Sequence, residues 1–574
     1  MERLFRQLAE EAFFWQITLP RIRKATIMKY ILTGNEMAEA DRLTSEKIGI
    51  PSIVLMERAA LSVADEIAQR YPARRRVTVL AGPGNNGADG LAAGRILSDR
   101  GYEVQFLLLT GKEPPEGSSA KIQQTILRSC GLNMSEFAKE KLEAFSPGVI
   151  VDALFGTGLQ RPLAGRAAQM AALTAQYRAR TGCKVVGLDI PSGISSEDGS
   201  IMGCAFECDL TVTFAYYKRG HLMYPGCRFC GETVLREIGI HDRCFAFARE
   251  GRPEMFMYEP GDAAELVGGR DPGGNKGTFG KVLIAAGSFS MCGAALLCAE
   301  ACMRSGAGMV KIFTREENRT IIQQALPEAM LTTYEALPGV GTEDYTAARK
   351  ALADSLIRDL EWADVVAAGP AIGLGREGEC IVRTILEHAG EKNADAKDRR
   401  RAVSGIILDA DALRLIASDS GLDLLLRERN PETACILTPH LAEFADLVHV
   451  SVSVAGERRI PLMRELASRY HCTVLGKDAR TLIVTDGVRP ICMIANGNSG
   501  MATAGSGDVL CGITGAMLAG QRNTEGSACR AAQTAALIHA MAGSRCKEKM
   551  GERAMLAGDI LTAAGEVLKD IENT

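Results

Sequence analysis

The sequence predicts an α/β protein of two domains, each built on a mostly parallel sheet. Three observations carry this expectation. Short apolar runs of strand type alternate with helical stretches along most of the chain, as in repeated βαβ units. Glycine makes up 60 of 574 residues and aromatics only 5%, which fits βα turns and ligand loops better than an all-β sandwich. A prior of about 150 residues per domain allows up to four domains, and large α/β domains make two equally acceptable.

Residues 1–27 stand apart. Phe13, Phe14 and Trp15 sit among five basic residues, but Glu2, Glu10 and Glu11 and the lack of a long apolar core argue against a targeting peptide. The segment reads as an N-terminal extension ahead of a second plausible start at Met28. From Thr33 the pattern is helical, and Leu61–Arg70 keeps helical periodicity. Arg76–Ala81 is a buried-strand run, Gly90–Asp99 a helix and Tyr102–Leu109 a strand. Gly148–Asp152 and Lys184–Asp189 are strands that each end in aspartate. Between about His241 and Gly274, proline and glycine accumulate, which places the domain boundary there. The expected division is a first domain over 28–245, a linker over 246–270 and a second domain over 271–574. The second series runs through Lys281–Ala286, Asp364–Ala368, Gly405–Asp409, Ala434–Thr438 and Cys472–Leu475. Glu391–Arg401 reads as a charged surface loop.

Charge and composition exclude several classes. There are 66 Lys+Arg against 70 Asp+Glu, a net charge of −4, and no long basic run, so nucleic acid is not an expected partner. No apolar stretch of about 18 residues lacks charge, so no membrane span is expected. Seventeen scattered cysteines, an odd number, read as reduced thiols in a cytoplasmic protein. Cys204, Cys208, Cys227 and Cys230 have a spacing that can suit zinc. Cys208 runs straight into the strand-like Leu210–Phe214, however, and no knuckle glycines frame the pairs, so buried thiols are favoured.

Three loops of the first half gather polar residues at strand ends, where open α/β sheets bind ligands. Gly82-Pro-Gly-Asn-Asn-Gly-Ala-Asp-Gly90 opens a helix, and its glycines let backbone amides approach an anion. Asp152-Ala-Leu-Phe-Gly-Thr-Gly158 and Asp189-Ile-Pro-Ser-Gly193 follow later strands. Asn86, Asp152 and Ser192 supply oxygen donors that suit a hard cation. Asp189 is a carboxylate able to shuttle a proton. Any one of these loops alone reads more simply as capping and turn chemistry.

Asn85–Asp89, Asp152–Gly158, Asp189–Gly193, and Thr211–Phe214 followed by Lys218 resemble the NAD(P)H-hydrate epimerase family over about 28–242. The resemblance implies a Rossmann-like three-layer α/β/α domain. It implies that Asn85, Asn86, Gly87, Ala88 and Asp89 bind the hydrated nucleotide, together with Gly156, Thr157, Gly158, Leu159, Gln160, Arg161, Pro162 and Asp189. By the same resemblance Asn86, Asp152 and Ser192 hold potassium, and Asp189 is the acid/base group. The family pattern has glycine at Ala88; if the backbone there needs positive φ, alanine is costly.

In the second half, Asn496–Asp508 leads into an apolar helix, and Gly505-Ser506-Gly507 would expose amides to a transferring phosphoryl group. Asp508 at the helix start reads equally as a cap or as a base for an attacking hydroxyl. Gly-Ser-Gly-Asp is similar to the signature of ribokinase-like small-molecule kinases. Asn275–Lys281, Gly293-Ala294 with Ser305–Gly308, Gly369–Gly373, Leu408–Leu413, Leu437–Glu443 and Met501–Leu510 together resemble the ADP-dependent NAD(P)H-hydrate dehydratases. The resemblance covers about 259–571 and implies a ribokinase-like α/β domain. It implies that Ala294, Gly373, His440 and Asp508 contact the hydrated cofactor. Lys477, Asp478, Ala479, Arg480, Thr481 and Gly507 would contact the adenine nucleotide. Two departures stand out: Lys477-Asp-Ala479 where the family has Lys-Gly-Ala, and Gly369-Pro-Ala371 where it has Gly-Pro-Gly. His440 also reads as a plain helix cap.

The joint implication is a bifunctional repair enzyme. Epimerisation of NADHX and NADPHX would feed one epimer to a site that phosphorylates its hydroxyl and eliminates it, using ADP with Mg²⁺ and giving AMP and phosphate. Potassium in the first domain and a homo-oligomeric state are expected with it. The alternative is a vitamin or sugar kinase with a regulatory first domain.

Overall fold

The computed structural model describes residues 29–110, 113–248, 251–390, 403–488, 490–521 and 526–573. Residues 1–27 and the expected Glu391–Arg401 loop lie outside the described residues. The chain divides into two compact units. One holds Tyr30–Met257 with Lys477–Ala495, and the other holds Tyr258–Gly476 with Asn496–Thr574.

The first unit is built on a seven-stranded sheet. Its spatial order is Met134–Glu136, Glu103–Leu108, Arg76–Ala81, Val149–Ala153, Lys184–Leu188, Leu210–Phe214 and Glu232–Arg236. Every neighbouring pair is parallel. The central runs Val149–Ala153 and Leu210–Phe214 are buried at every residue, as strands covered on both faces require. The chain leaves Arg76–Ala81 toward one edge and returns at Val149–Ala153, so strand order reverses between these two. That reversal opens a crevice at their carboxyl ends. In the same unit Ile31 and Leu32 pair in parallel with Tyr217 and Lys218. Met255–Met257 pairs with Ile491–Ile494, which also pairs antiparallel with Thr481–Thr485.

The second unit carries parallel strands in the order Met330–Tyr334, Met309–Arg315, Lys281–Ala285, Val365–Ala368, Gly405–Leu408, Ala434–Leu437 and Thr473–Gly476. Its reversal falls between Lys281–Ala285 and Val365–Ala368. There the Gly287 amide donates to the Pro370 carbonyl at 2.9 Å, tying the two strand-end loops together. Helix Ser506–Gln521 lies against Cys292–Arg304 with glycine at the closest approach. A Cβ at Gly512 would stand 2.1 Å from the Cys298 carbonyl oxygen, so no other residue fits without separating the helices.

The predicted strands appear within a residue or two of their expected ends. Helix Asn85–Asp99 starts five residues earlier than its apolar periodicity marked, because Asn85, Asn86 and Asp89 already belong to its first turns. Met134–Glu136, Glu232–Arg236, Met309–Arg315 and Met330–Tyr334 are strands that the sequence does not announce. Their patterns are half-buried or short rather than continuously apolar. Among the described residues no helix is long and apolar enough to cross a membrane.

Candidate functional site

In the first unit the strand-end loops surround a cavity of about 470 Å³ at the switch point. Asn85, Asn86 and Asp89 line it from the start of helix Asn85–Asp99, and Gly156–Leu159 from the loop after Val149–Ala153. Asp189 and Lys218 complete the polar wall, with Asp41 from helix Gly34–Leu43. Leu55, Met56, Ile238 and Ile240 supply apolar surface. Gly82 and Gly87 make the turn tight. A Cβ at Gly87 would come within 2.0 Å of the Gly82 carbonyl oxygen. Ala88 is helical and fully buried beside Met56 and Ala120, so the expected cost of a positive φ does not arise. Gly87 and Ala88 lie behind the wall, while Gln160, Arg161 and Pro162 are exposed and outside it.

Asp189 has φ of +64°, an uncommon conformation for a side-chain-bearing residue that marks a constrained strand end. Its Oδ1 accepts hydrogen bonds from Lys218 Nζ at 2.5 Å and Thr213 Oγ1 at 3.1 Å. Lys218 Nζ also donates to Thr213 Oγ1 and to the Phe214 carbonyl. His221 locks the turn: its Nδ1 accepts the Lys218 amide at 2.9 Å and its Nε2 donates to the Asp189 carbonyl at 2.7 Å. Burial, and then the Lys218 charge, push the His221 imidazole down to about 4, so it stays neutral in that tautomer. Burial alone would raise the Asp189 carboxyl, but the Lys218 charge and hydrogen bond outweigh it and hold Asp189 below the ordinary range. Burial, and then the charge of Asp189, raise both Asp89 and Asp41.

Asp152 and Ser192 form a buried unit. Asp152 accepts from the Ser192 amide at 2.8 Å and from Ser192 Oγ at 2.7 Å, and Phe155 N donates to Ser192 Oγ at 2.9 Å. Burial pushes the Asp152 carboxyl up to about 6 despite these donors, since no described cation pairs with it. Asn86 Nδ2 is buried with no hydrogen-bond partner among the described residues, and turning the amide over puts an oxygen there. An all-oxygen donor set with one uncompensated carboxylate fits a monovalent hard cation. Among the described residues no three His, Cys, Asp or Glu side chains gather as a metal-holding group. All four cysteines of the zinc-like spacing are free thiols.

In the second unit Gly505 turns at φ of +89° into helix Ser506–Gln521, placing Gly507 and Asp508 in its first turn. Ser506 Oγ lies 3.2 Å from His539 Nε2, which ties the turn to helix Ser527–Met550. Ala294 is buried near the start of helix Cys292–Arg304. The Gly373 amide donates to Asp411 at 2.9 Å, and Ala371 sits at φ of +54°. His440 caps helix Leu441–Leu447. Its Nδ1 accepts from the Ala442 and Glu443 amides, and its Nε2 lies 3.1 Å from Glu443. Lys477–Thr481 belongs to the other compact unit. There Asp478 is exposed and accepts its neighbour's amide, and Arg480 Nε donates to the Leu222 carbonyl at 2.8 Å. Asp41 and the Lys218–His221 clasp escaped the sequence reading as functional residues. The sequence signal for Lys218 is its place four residues after the Leu210–Phe214 strand.

Two open parallel sheets, each with polar glycine-rich loops at its reversal point, define a two-domain α/β enzyme of the nucleotide-binding class. A family model described as "YjeF-related protein N-terminus" matches residues 52–220, and one described as "NAD(P)H-hydrate dehydratase" matches 282–564. A bifunctional NAD(P)H-hydrate repair enzyme from Moorella thermoacetica is 32% identical over 95% of this chain and 97% of its own length. One from Thermofilum pendens is 32% identical over 93% and 95%. The chain belongs to the bifunctional NAD(P)H-hydrate repair enzyme family. A crystal structure of the ADP/ATP-dependent NAD(P)H-hydrate dehydratase from Bacillus subtilis, co-crystallised with ATP/Mg²⁺, aligns at 25% identity. It covers 55% of this chain and 98% of that one, with a TM-score of 0.43.

Proposed function

We propose that this protein repairs hydrated nicotinamide nucleotides in two steps. The first unit interconverts the R and S epimers of NADHX and NADPHX. The second dehydrates the S epimer to NAD(P)H at the expense of ADP, releasing AMP and phosphate. The observation that carries this reading is the match to bifunctional repair enzymes over almost the whole chain, through both units.

The chemistry explains why both steps belong together. Water adds to either face of a reduced nicotinamide ring, so two epimers form. A kinase-like site aligns only one hydroxyl with a phosphate. Phosphorylation makes that hydroxyl a good leaving group, and elimination restores the ring double bond. At the second unit, Asp508 removes the proton of the attacking hydroxyl, and the amides of Gly505–Gly507 hold the transferring phosphoryl group. Ala294, Gly373 and His440 contact the hydrated cofactor, and Gly507 contacts the adenine nucleotide, whose phosphates bring Mg²⁺. At the first unit, Asp189 manages the proton of the departing and returning oxygen. Asn86, Asp152 and Ser192 hold potassium, which supplies fixed positive charge near the nucleotide. The unbridged thiols fit a reducing cytoplasm, and a homo-oligomer belongs to the same reading.

The test is recovery of dihydronicotinamide absorbance from mixed-epimer NADHX with ADP and Mg²⁺. Wild type is expected to convert all of it and Asp508→Asn none. Asp189→Asn is expected to stop at the pace of spontaneous epimer exchange. No recovery by wild type with ADP or ATP overturns the reading. A stable phosphorylated metabolite in place of NAD(P)H would establish the kinase alternative.

A further inference from the structure

We infer that Asp89 is the proton donor of the first unit's reaction, acting with Asp189 as proton acceptor at one cavity. This rests on the epimerase reading above. Asp41, Asp89 and Asp189 line the same cavity, and Lys218 is the one basic side chain on its described wall. Lys218 Nζ already meets Asp189 Oδ1, Thr213 Oγ1 and the Phe214 carbonyl, which occupies its three donors. Asp89 is left without a cation and, among the described residues, without a side-chain hydrogen bond.

Carboxyls that share one enclosed site with a single cation do not all ionise. The charge settles on Asp189, which holds Lys218. Asp89 feels its own burial first, then the negative charges of Asp189 and Asp41, and stands well above the ordinary carboxyl range. Asp41 is less deeply buried; burial and the Asp189 charge raise it as well, and Lys218 partly offsets them. Neutral His221 adds no charge. Of the three carboxyls, Asp89 is therefore the one pushed furthest toward its protonated form. It lies one helical turn beyond Asn85, and Asn85, Asn86 and Asp89 all line the cavity.

An epimerase that removes and returns a hydroxyl needs both forms at once. The ring nitrogen pushes its lone pair toward C6 and the C6–O bond breaks. The Asp89 carboxyl proton passes to the departing oxygen, which leaves as water. A water then adds to C6 from the other face, the N=C6 pair returns to nitrogen, and the proton of that water goes to the Asp189 carboxylate. The opposite epimer runs the same step in reverse with the two protonation states exchanged, and for a second turnover on one epimer solvent water carries the proton from Asp189 back to Asp89. No oxidant or reductant enters, and each inversion carries one solvent oxygen into the product.

The experiment follows exchange of a single NADHX epimer by the full chain, without ADP, in oxygen-18 water, across pH. Wild type, Asp89→Asn, Asp89→Glu and Asp41→Asn are compared, with thermal midpoints as the folding check. Asp89→Asn is expected to lower kcat by about 10²–10⁴-fold with little change in KM. The wild-type rate is expected to fall as pH rises through the Asp89 value. That limb should vanish in Asp89→Asn, shift in Asp89→Glu and persist in Asp41→Asn. One labelled oxygen should enter per inversion. An Asp89→Asn variant that keeps both rate and limb overturns the proposal, as does inversion without solvent oxygen. If Asp89→Asn fails to fold, the limb of Asp89→Glu decides: a shifted limb supports the proposal and an unmoved one overturns it. Absence of epimer exchange in wild type instead sinks the epimerase reading itself.

Discussion

The Lys218 ammonium, 1% exposed, donates to Asp189 Oδ1 at 2.5 Å, and this pair decides which carboxyl of the cavity is charged. Without Lys218, burial would leave Asp189 as reluctant to ionise as Asp89 and Asp41. One cation thus gives neighbouring carboxyls different protonation states.

Removing that cation is costly. Lys218→Met leaves a buried carboxylate unpaired, and a loss of about 3–5 kcal/mol is expected at neutral pH. The sign follows from linkage. A folded value below the unfolded one stabilises above the unfolded pKa and is lost as pH falls through the folded one. The deficit of Lys218→Met in urea unfolding should therefore shrink as the pH falls into the acid range, and epimer exchange should be lost.

Asp152 behaves in the opposite sense. Its folded value, pushed up to about 6, lies above the unfolded one, so without a cation its ionisation costs stability as pH rises from about 4 to 6. Potassium should offset that cost. The thermal midpoint is expected to rise with K⁺ at pH above 6, to respond much less below pH 5, and to ignore K⁺ in Asp152→Asn. Equal effects of K⁺ and a bulky organic cation would refute the site.

The two alanines that replace family glycines should answer differently to Gly. Ala371 sits at φ of +54°, where a side chain costs about 1–2 kcal/mol, so Ala371→Gly is expected to hold or raise the thermal midpoint. Ala88 is a buried helical residue, and Ala88→Gly should lower stability by about 1 kcal/mol. Equilibrium unfolding of both variants checks the contrast.

Gly505→Ala forces a Cβ to within 2.6 Å of Leu297 Cδ1 at φ of +89°. The turn before Asp508 must then shift. Dehydration of the S epimer is expected to fall by about tenfold or more, as a small misplacement of a reacting group commonly costs, while epimer exchange continues. Separate kinetics of the two reactions on one preparation would show it.

Much of the architecture was legible locally. Continuous apolar runs such as Val149–Ala153 and Lys281–Ala285 announce strands buried on both faces, and the glycine turns after them announce the ligand loops. Weakly apolar edge strands, such as Met330–Tyr334, carry no such signal, because most of their residues are only partly buried. His440 illustrates a shared signal: Pro-His-x-x-Glu reads as a ligand motif, and the ring nevertheless caps its own helix.

The sequence by itself determined the alternation of strands and helices, the loops at the switch points and the placement of Asp189 and Asp508 at strand and helix ends. These follow from local periodicity and from short glycine-bearing motifs. Tertiary structure alone decided that Asp41, 148 residues before Asp189 in the chain, shares its cavity, and that Lys218 and His221 clasp it. It also decided that Ala88 needs no special backbone while Ala371 does. Charge state and backbone strain depend on neighbours brought from distant strands, so burial and pairing, rather than any stretch of residues, set them.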